Sequence, residues 1–149
     1  MKSGVDCSFC VSGHVEVNQF SYLVAELKQS YFRLPRNQFW RGYAILAFKR
    51  HATEIYELTQ TELSEFWQDV ALVAKAMNVI FAPVKINYAV YGNWCPHIHC
   101  HIFPQQFEND PDLPVTVKVV DEVLLSDEEY QKIIWQYKKV LTEMNTDFL

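Results

Sequence analysis

Three histidines that alternate with other residues are the part of this sequence best suited to chemistry. The stretch 97–103 reads HIHCHIF, and in an extended strand successive side chains point to opposite faces of the sheet. His97, His99 and His101 would then share one face, while the apolar residues on the other face pack into a core. Because imidazole is largely neutral and nucleophilic near pH 7, this row predicts either a metal site or a nucleophile with accessory groups.

A second group with metal-binding chemistry lies near the start of the sequence, where Cys7 and Cys10 form a C-x-x-C pair. In a reducing compartment such a pair predicts a metal or redox site rather than part of a disulfide framework. A thioredoxin-like redox site would need a βαβ unit around the pair, and the surrounding sequence does not offer one. We interpret Cys95 and Cys100 as packing residues, since neither belongs to a comparable pattern.

Composition and charge narrow the class of protein. The chain has 149 residues, of which 50% are hydrophobic and 15% aromatic, so we expect one folded domain spanning residues 1–149. The formal net charge of −5, without any basic run, argues against a nucleic-acid surface. The sequence shows neither the apolar region of a signal peptide nor an uncharged apolar run of membrane-spanning length, so we expect a cytoplasmic protein without a membrane partner.

Several β-rich segments precede the histidines and would place them in a sheet. We predict a pair of strands at residues 20–27 and 30–35, joined by a tight connection. The nearly continuous apolar run 42–48 is typical of a central strand. This run is followed by Lys-Arg-His, so His51 should lie just beyond the end of that strand.

The histidine strand is predicted to pair with the segment before it. Residues 84–91 alternate between apolar and other side chains, as a half-buried strand does. A turn should follow, and the histidine strand, residues 97–103, would then stop at Pro104. We expect the two strands to form an antiparallel pair, with residues 115–123 as a further short strand.

Two amphipathic helices complete the predicted elements. Thr59 and Glu62 form a capping box before apolar residues at helical spacing, and this helix should end near Pro83. Ser126 and Glu129 form a second such box at the start of a C-terminal helix. Strand pairs with isolated helices, and without regular βαβ alternation, indicate an α+β fold with an antiparallel sheet and two main helices.

The histidine stretch resembles the signature of the histidine-triad (HIT) family, in which three alternate histidines are each followed by an apolar residue. Counterparts of family features also stand at the C-x-x-C pair, at Gly42-Tyr43 and at Gly92-Asn93. The resemblance implies an α+β, HIT-like fold with a five-stranded antiparallel sheet. It also implies nucleotide substrates and a homodimer.

The family pattern assigns catalytic roles to the triad. The resemblance implies that His99 attacks the α-phosphorus of a dinucleoside polyphosphate or a nucleoside phosphoramidate, forming a nucleotidyl-histidine that water then hydrolyses. His101, with His97 as the remaining member, would assist by contacting phosphate oxygens or by supporting the nucleophile. Three strand histidines that are satisfied by hydrogen bonds, without a catalytic role, are the alternative interpretation.

Substrate contacts are implied at three further residues. Asn93 would hold phosphate oxygens beside Gly92, and Asn87 would support the site from the adjacent strand. Each has a simpler interpretation, because Gly-Asn is ordinary turn chemistry and Asn87 is equally an exposed strand amide. Many family members have Arg after the proline that follows the triad, whereas this sequence has Gln105, which removes one possible anion contact.

The resemblance also implies a structural zinc held by Cys7, Cys10, His51 and His97. Two thiolates and two imidazoles suit tetrahedral Zn²⁺. His14, close to the cysteine pair, is a rival ligand. The alternatives are two buried free cysteines with His51 in a pocket, or a catalytic zinc on all three triad histidines, for which the motif lacks an acid placed to act on bound water.

The sequence therefore predicts a histidine-triad hydrolase or transferase whose small-molecule partner is a nucleotide. Two other classes of function remain open at this point. One is a nucleotide-binding sensor with little turnover, and the other is a zinc-dependent hydrolase that uses the histidines as metal ligands.

Overall fold

Five antiparallel strands form one sheet with the histidine strand inside it. The computed structural model describes residues 6–116 and 122–146. The strands are β1 (Ser21–Glu26), β2 (Ser30–Pro35), β3 (Ala44–Phe48), β4 (Lys85–Val90) and β5 (His99–Gln105). Their order is β1-β2-β3-β5-β4, and every neighbouring pair is antiparallel. The predicted α+β class and the five-stranded antiparallel sheet are thus confirmed.

Two long helices cover one face of the sheet, a short helix precedes β1, and a 3₁₀ turn lies between β3 and the first long helix. These elements are α1 (Ser8–Ser12), a 3₁₀ turn (Ile55–Glu57), α2 (Gln60–Phe81) and α3 (Asp127–Thr146). Thr59 and Glu62 exchange side-chain and backbone hydrogen bonds at the start of α2, and Ser126 and Glu129 do the same before α3. Both predicted capping boxes are therefore present.

The main core lies between the sheet and the two long helices. Cys100 and Ile102 of β5 point into this core and are fully buried, against α2 and α3 residues such as Met77 and Tyr137. Because side chains alternate along a strand, His99 and His101 lie on the opposite face, away from α2 and α3. A smaller cluster of Trp40, Tyr43 and Phe103 covers part of that second face.

The histidine strand differs from its predicted bounds at both ends. It begins at His99 rather than at residue 97, because the His97 amide donates to the Cys95 carbonyl at 2.8 Å in a turn before the strand. It continues past Pro104 to Gln105. Pro104 is tolerated because pairing with β3 ends at Ile102, so this proline lies opposite only β4 and its missing N–H interrupts no second ladder.

Two other expectations concern the short strand at residues 115–123 and membrane-spanning segments. Residues 115 and 116 are not in a strand, and residues 117–121 of the predicted short strand lie outside the described residues. Within residues 6–116 and 122–146, no helix combines the length and apolarity needed to cross a membrane.

Candidate active site and metal centre

His99 is held with one ring nitrogen free. Its Nδ1 lies 2.5 Å from the backbone carbonyl oxygen of His97. A carbonyl can only accept, so Nδ1 carries the proton and donates it, and Nε2 keeps its lone pair. Burial lowers the pKa of His99, against the opposing effect of this backbone hydrogen bond, so the ring is neutral near pH 7.

His101 is the second triad member on β5 and is buried to a similar extent as His99. Burial, with a smaller contribution from His99, lowers the pKa of His101 to about 3. Its Nδ1 lies 2.6 Å from the hydroxyl of Tyr43. The rings of His99 and His101 are 4.8 Å apart between centroids, so the two imidazoles face the same space.

His97 has a different environment, in the turn just before β5 rather than within the strand. Its Nε2 lies 2.6 Å from the carbonyl oxygen of Phe48, the last residue of β3. Nε2 therefore donates its proton to that carbonyl, and Nδ1 keeps its lone pair. Nδ1 is 3.3 Å from the sulfur of Cys7 and 3.5 Å from that of Cys10.

The structure brings together the four residues that the sequence predicted as metal ligands. Cys10 Sγ lies 3.3 Å from Nδ1 of His51, and the ligand atoms of Cys7, Cys10, His51 and His97 all lie within 4.8 Å of one another. Neighbouring ligand atoms of a tetrahedral zinc site are roughly 3.3–3.8 Å apart, given usual Zn–S and Zn–N bond lengths. The donor set and its spacing thus fit zinc.

The Cys10 thiol of this cluster resists ionisation without a cation nearby. Burial raises the pKa of Cys10 to about 11, with further contributions from the neighbouring Cys7 and Cys95. Metal binding would therefore release a proton from Cys10, as it does at other thiolate sites.

Cys95 and His14 are the two other candidates near this cluster. The sequence indicates Cys95 as a packing residue, and in the structure its sulfur lies 3.7 Å from that of Cys7. It lies beside the four-residue group without belonging to it. His14, the predicted rival ligand, is exposed, faces Tyr31 and is not in the group.

A buried arginine fixes the segment that carries α1 and the cysteine pair. Arg33 of β2 is only 1% exposed. Its Nη1 donates to the carbonyl oxygens of Gly13 and Val15, each at 2.7 Å, and Nε donates to Ser21 Oγ at 2.7 Å. Burial lowers the pKa of Arg33 to about 10, so the guanidinium is still charged at pH 7.

A cavity of about 670 Å³ opens over His99 and His101. This volume suits a nucleotide-sized ligand. Phe9 of α1 forms part of the lining, with its ring centroid 4.7 Å from that of His99. The lining also includes Thr116, whose carbonyl accepts from Trp40 Nε1 at 3.2 Å. None of the described residues that line this cavity is Asp, Glu, Lys or Arg.

The three predicted substrate contacts fall in different places. Asn93 lines the cavity beside the histidines. Gly92 lines an adjacent cavity that also borders Asn93, together with Asp6 and Glu54.

Asn87 lies apart from both cavities. Its Nδ2 donates to Gln105 Oε1 at 3.2 Å. Gln105 stands where many family members have Arg. Its side-chain amide is held by this hydrogen bond from Asn87, and it does not line the main cavity either.

Three contacts of the triad were not predicted from the sequence. They are Phe9 with His99, Tyr43 with His101, and the Phe48 carbonyl with His97. Each joins residues far apart in the sequence. The tyrosine and Phe9 were within motifs already noted, Gly42-Tyr43 and the C-x-x-C pair, but nothing local indicated their partners.

Comparisons with known proteins agree with this architecture. A sequence model of the HIT domain matches residues 17–108. A histidine triad protein from Bradyrhizobium japonicum has a similar structure, with a TM-score of 0.76 and 19% identity over 83% of this chain and 92% of that one. A hypothetical histidine triad nucleotide-binding protein from Sulfolobus tokodaii strain 7 gives 0.68 and 20% over 93% and 91%.

A zinc-bound histidine triad family protein from Mycobacterium smegmatis is also similar, with a TM-score of 0.69 and 14% identity over 97% of this chain and 99% of that one. A comparison with curated protein sequences found no match. The structural likeness confirms the predicted HIT-like fold.

Proposed function

The chain belongs to the histidine-triad (HIT) family, and from this premise we propose that it is a hydrolase or transferase of nucleotides that acts at an α-phosphorus. The observation that carries the proposal is the hydrogen bond from His99 Nδ1 to the His97 carbonyl. This bond leaves a neutral Nε2 lone pair in a residue that lines a nucleotide-sized cavity.

In the proposed reaction, His99 Nε2 attacks the α-phosphorus of a dinucleoside polyphosphate or a nucleoside phosphoramidate. The bond from phosphorus to the leaving oxygen or nitrogen breaks, and the leaving group departs with that electron pair. Water then attacks the nucleotidyl-histidine, and the P–N bond breaks to release nucleoside monophosphate. The ring becomes positively charged in the intermediate, and the His97 carbonyl stabilises that charge through the Nδ1 proton.

The remaining cavity residues would contact the phosphate rather than form bonds to it. His101 and Asn93 both line the cavity and carry groups able to donate to phosphoryl oxygens. Donors fixed before the reaction stabilise charge that develops on those oxygens, which is usually the largest electrostatic contribution to such transfers. His97 supports the nucleophile through its backbone carbonyl. Gly92 and Asn87 would act indirectly, because neither lines this cavity.

The substitution His99→Asn tests the proposed nucleophile. We expect it to abolish release of nucleoside monophosphate from diadenosine tetraphosphate and from adenosine phosphoramidate, while AMP binding persists. His14→Asn, on an exposed histidine outside the site, is the control and should retain activity. Wild-type protein that binds AMP but turns over neither substrate would refute the enzyme and favour the sensor interpretation.

We also infer a structural zinc, held by Cys7, Cys10, His51 and His97. The bound ion would join α1 and its preceding residue to the segment after β3 and to the turn at His97 that precedes β5. His99 and His101 lie outside the four-residue group, which favours a structural role over a catalytic one.

Paired cysteine substitutions test this zinc site. We expect Cys10→Ser to reduce the zinc content of the purified protein, measured by mass spectrometry of the metal, from about one ion per chain to a small fraction. Cys95→Ser removes a neighbouring thiol outside the group and should keep the ion. Chelation of the wild-type protein should mainly lower its melting temperature; immediate loss of activity at constant fold would instead support a catalytic zinc.

Three expectations remain proposals: a single domain, a cytoplasmic location and a homodimer. At the β4 edge of the sheet, Tyr88 and Val90 are 49% and 40% exposed. Light scattering that gives the mass of a single 17.5 kDa chain would refute the dimer.

A further inference from the structure

The hydroxyl of Tyr43 is a buried group with one partner. Tyr43 is 4% exposed, and its hydroxyl lies 2.6 Å from His101 Nδ1. Within residues 6–116 and 122–146 the hydroxyl makes no other hydrogen bond. A hydroxyl can donate one proton and accept others, so its single contact with His101 has two possible directions.

The direction of this hydrogen bond follows from the need of the buried Tyr43 hydroxyl proton for an acceptor. If His101 Nδ1 donated, the hydroxyl proton of Tyr43 would be buried without an acceptor, and that arrangement is disfavoured by about tenfold or more. Burial also raises the pKa of Tyr43 well above its usual value, so the hydroxyl keeps its proton. Tyr43 therefore donates to Nδ1, and the single proton of the neutral His101 ring resides on Nε2.

We propose that Tyr43 is the positioning residue that holds His101 in its Nε2–H tautomer, so that His101 presents a neutral N–H donor to the phosphate cavity. The inference deepens the proposed function and rests on it for its catalytic meaning. His99 has the opposite tautomer, with its proton on Nδ1 and a lone pair on Nε2. Two histidines separated by a single residue thus supply a nucleophile and a donor within one cavity.

The backbone around Tyr43 fixes its hydroxyl in place. Gly42 has a φ of 97°, which favours glycine, and a Cβ there would lie 2.6 Å from the Phe81 ring. The Gly42 amide donates to Gln38 Oε1 at 2.8 Å, and its carbonyl accepts from the Tyr137 hydroxyl at 2.7 Å. Tyr43 therefore follows a glycine whose amide and carbonyl are both held by hydrogen bonds.

Ring stacking also holds the Tyr43 side chain in place. The Tyr43 ring stacks on Phe103, with centroids 4.7 Å apart and planes 6° from parallel. His101 lies nearly parallel to Phe103 as well, at 5.9 Å. A phenylalanine at position 43 could keep this stacking, so Tyr43→Phe removes the hydroxyl with little change in packing.

The test reads the tautomer directly. In zinc-loaded protein with ¹⁵N-labelled histidine, we expect the nitrogen spectrum of His101 to show a protonated Nε2 and an unprotonated Nδ1. In Tyr43→Phe a substantial fraction of the ring should move its proton to Nδ1. With a nucleotide substrate, kcat should fall by about tenfold to a hundredfold, as on loss of one preorganised donor, while KM changes by less than about threefold.

Tyr130→Phe is the matched control. Tyr130 is also buried, and its hydroxyl donates to the Arg36 carbonyl at 2.5 Å, but it lies on α3 at the helical face of the sheet. This variant should leave the His101 spectrum and kcat unchanged, whereas a merely structural effect of losing a buried hydroxyl would appear in both variants.

The outcomes separate the inference from the proposed function. A wild-type spectrum with the His101 proton on Nδ1 overturns the inference, even if Tyr43→Phe does not fold. An unchanged tautomer in a folded Tyr43→Phe overturns it as well. A tautomer that shifts as expected, in a protein that turns over no nucleotide, supports the positioning by Tyr43 and refutes the enzyme.

Discussion

At the scale of single residues, the three histidines of one motif are distinguished by what each ring touches. His97 donates from Nε2 to the Phe48 carbonyl and turns Nδ1 toward two sulfurs. His99 donates from Nδ1 to a carbonyl, and this leaves Nε2 free. An acceptor on one nitrogen thus decides whether the other is available to a metal or to phosphorus, and the motif by itself specifies neither.

Burial of a neutral His101 predicts a pH dependence of stability. The pKa of His101 is about 3 in the folded protein and about 6.5 in an unfolded chain. Between these values only the unfolded chain binds the proton, so the free energy of unfolding is highest above pH 6.5 and falls as the pH decreases toward 3. We expect His101 to account for a loss on the order of 3 kcal/mol between pH 7 and 4.

Urea unfolding of wild-type and His101→Gln protein at several pH values measures this contribution. The variant should be less stable at pH 7 but lose less stability on acidification. His14→Gln, which removes an exposed histidine, should follow the wild-type slope. Equal slopes in all three proteins would show that His101 is not buried in its neutral form.

At the scale of elements, the four-residue cysteine and histidine group and the cavity both depend on how the N-terminal segment lies against the sheet. Helix α1 is only five residues long and buries none of its own residues. Arg33 of β2 instead holds this segment, through the carbonyls of Gly13 and Val15. The segment supplies Cys7 and Cys10 to one site and Phe9 to the other, so one buried guanidinium supports both.

The substitution Arg33→Met tests this support. Methionine removes every donor from the carbonyls of Gly13, Val15 and Ser21 and from the Ser21 hydroxyl, so we expect a loss of about 2–4 kcal/mol in the free energy of unfolding. Zinc should also bind more weakly, because its cysteine ligands would lie on a loosened segment. Equilibrium unfolding in urea and competition with a chromophoric chelator measure the two effects.

Arg41→Met is the control for Arg33→Met. The Arg41 side chain is 50% exposed, and its contact with Glu129 is 3.5 Å long. Exposed ion pairs of this kind contribute little, so a change below about 1 kcal/mol is expected. Zinc affinity that is unaffected by Arg33→Met would show that the metal cluster assembles without this anchor.

The elements that sequence reasoning predicted well are those determined by local chemistry. The capping boxes at Thr59 and Ser126 each join residues three apart, and both helices begin there. The β5 start at His99 was not predictable in this way, because beside the local turn to Cys95 the His97 ring contacts Phe48 and Cys7, which are far away in the sequence. The metal cluster likewise joins segments about 90 residues apart, and only the family resemblance indicated it.

At the scale of the whole molecule, charge is the property most relevant to substrate choice. The chain carries a formal net charge of −5. Neutral side chains line the main cavity, as far as the structure describes them, and the adjacent cavity includes Asp6 and Glu54. Negative phosphates beyond the α-phosphate would therefore approach these carboxylates without a cation in either set of lining residues.

The negative charge beside the cavity predicts a preference for substrates with few phosphate charges. We expect kcat/KM for adenosine phosphoramidate to exceed that for diadenosine tetraphosphate by about tenfold at low ionic strength, in assays without Mg²⁺. The preference should weaken as salt increases, because the repulsion acts between exposed charges. Glu54→Lys should raise kcat/KM for the tetraphosphate and leave the phosphoramidate almost unchanged. Glu128→Lys, an equal charge change on α3, should alter kcat/KM for neither substrate. A ratio of the two kcat/KM values that does not change with salt would show that shape rather than charge sets the preference.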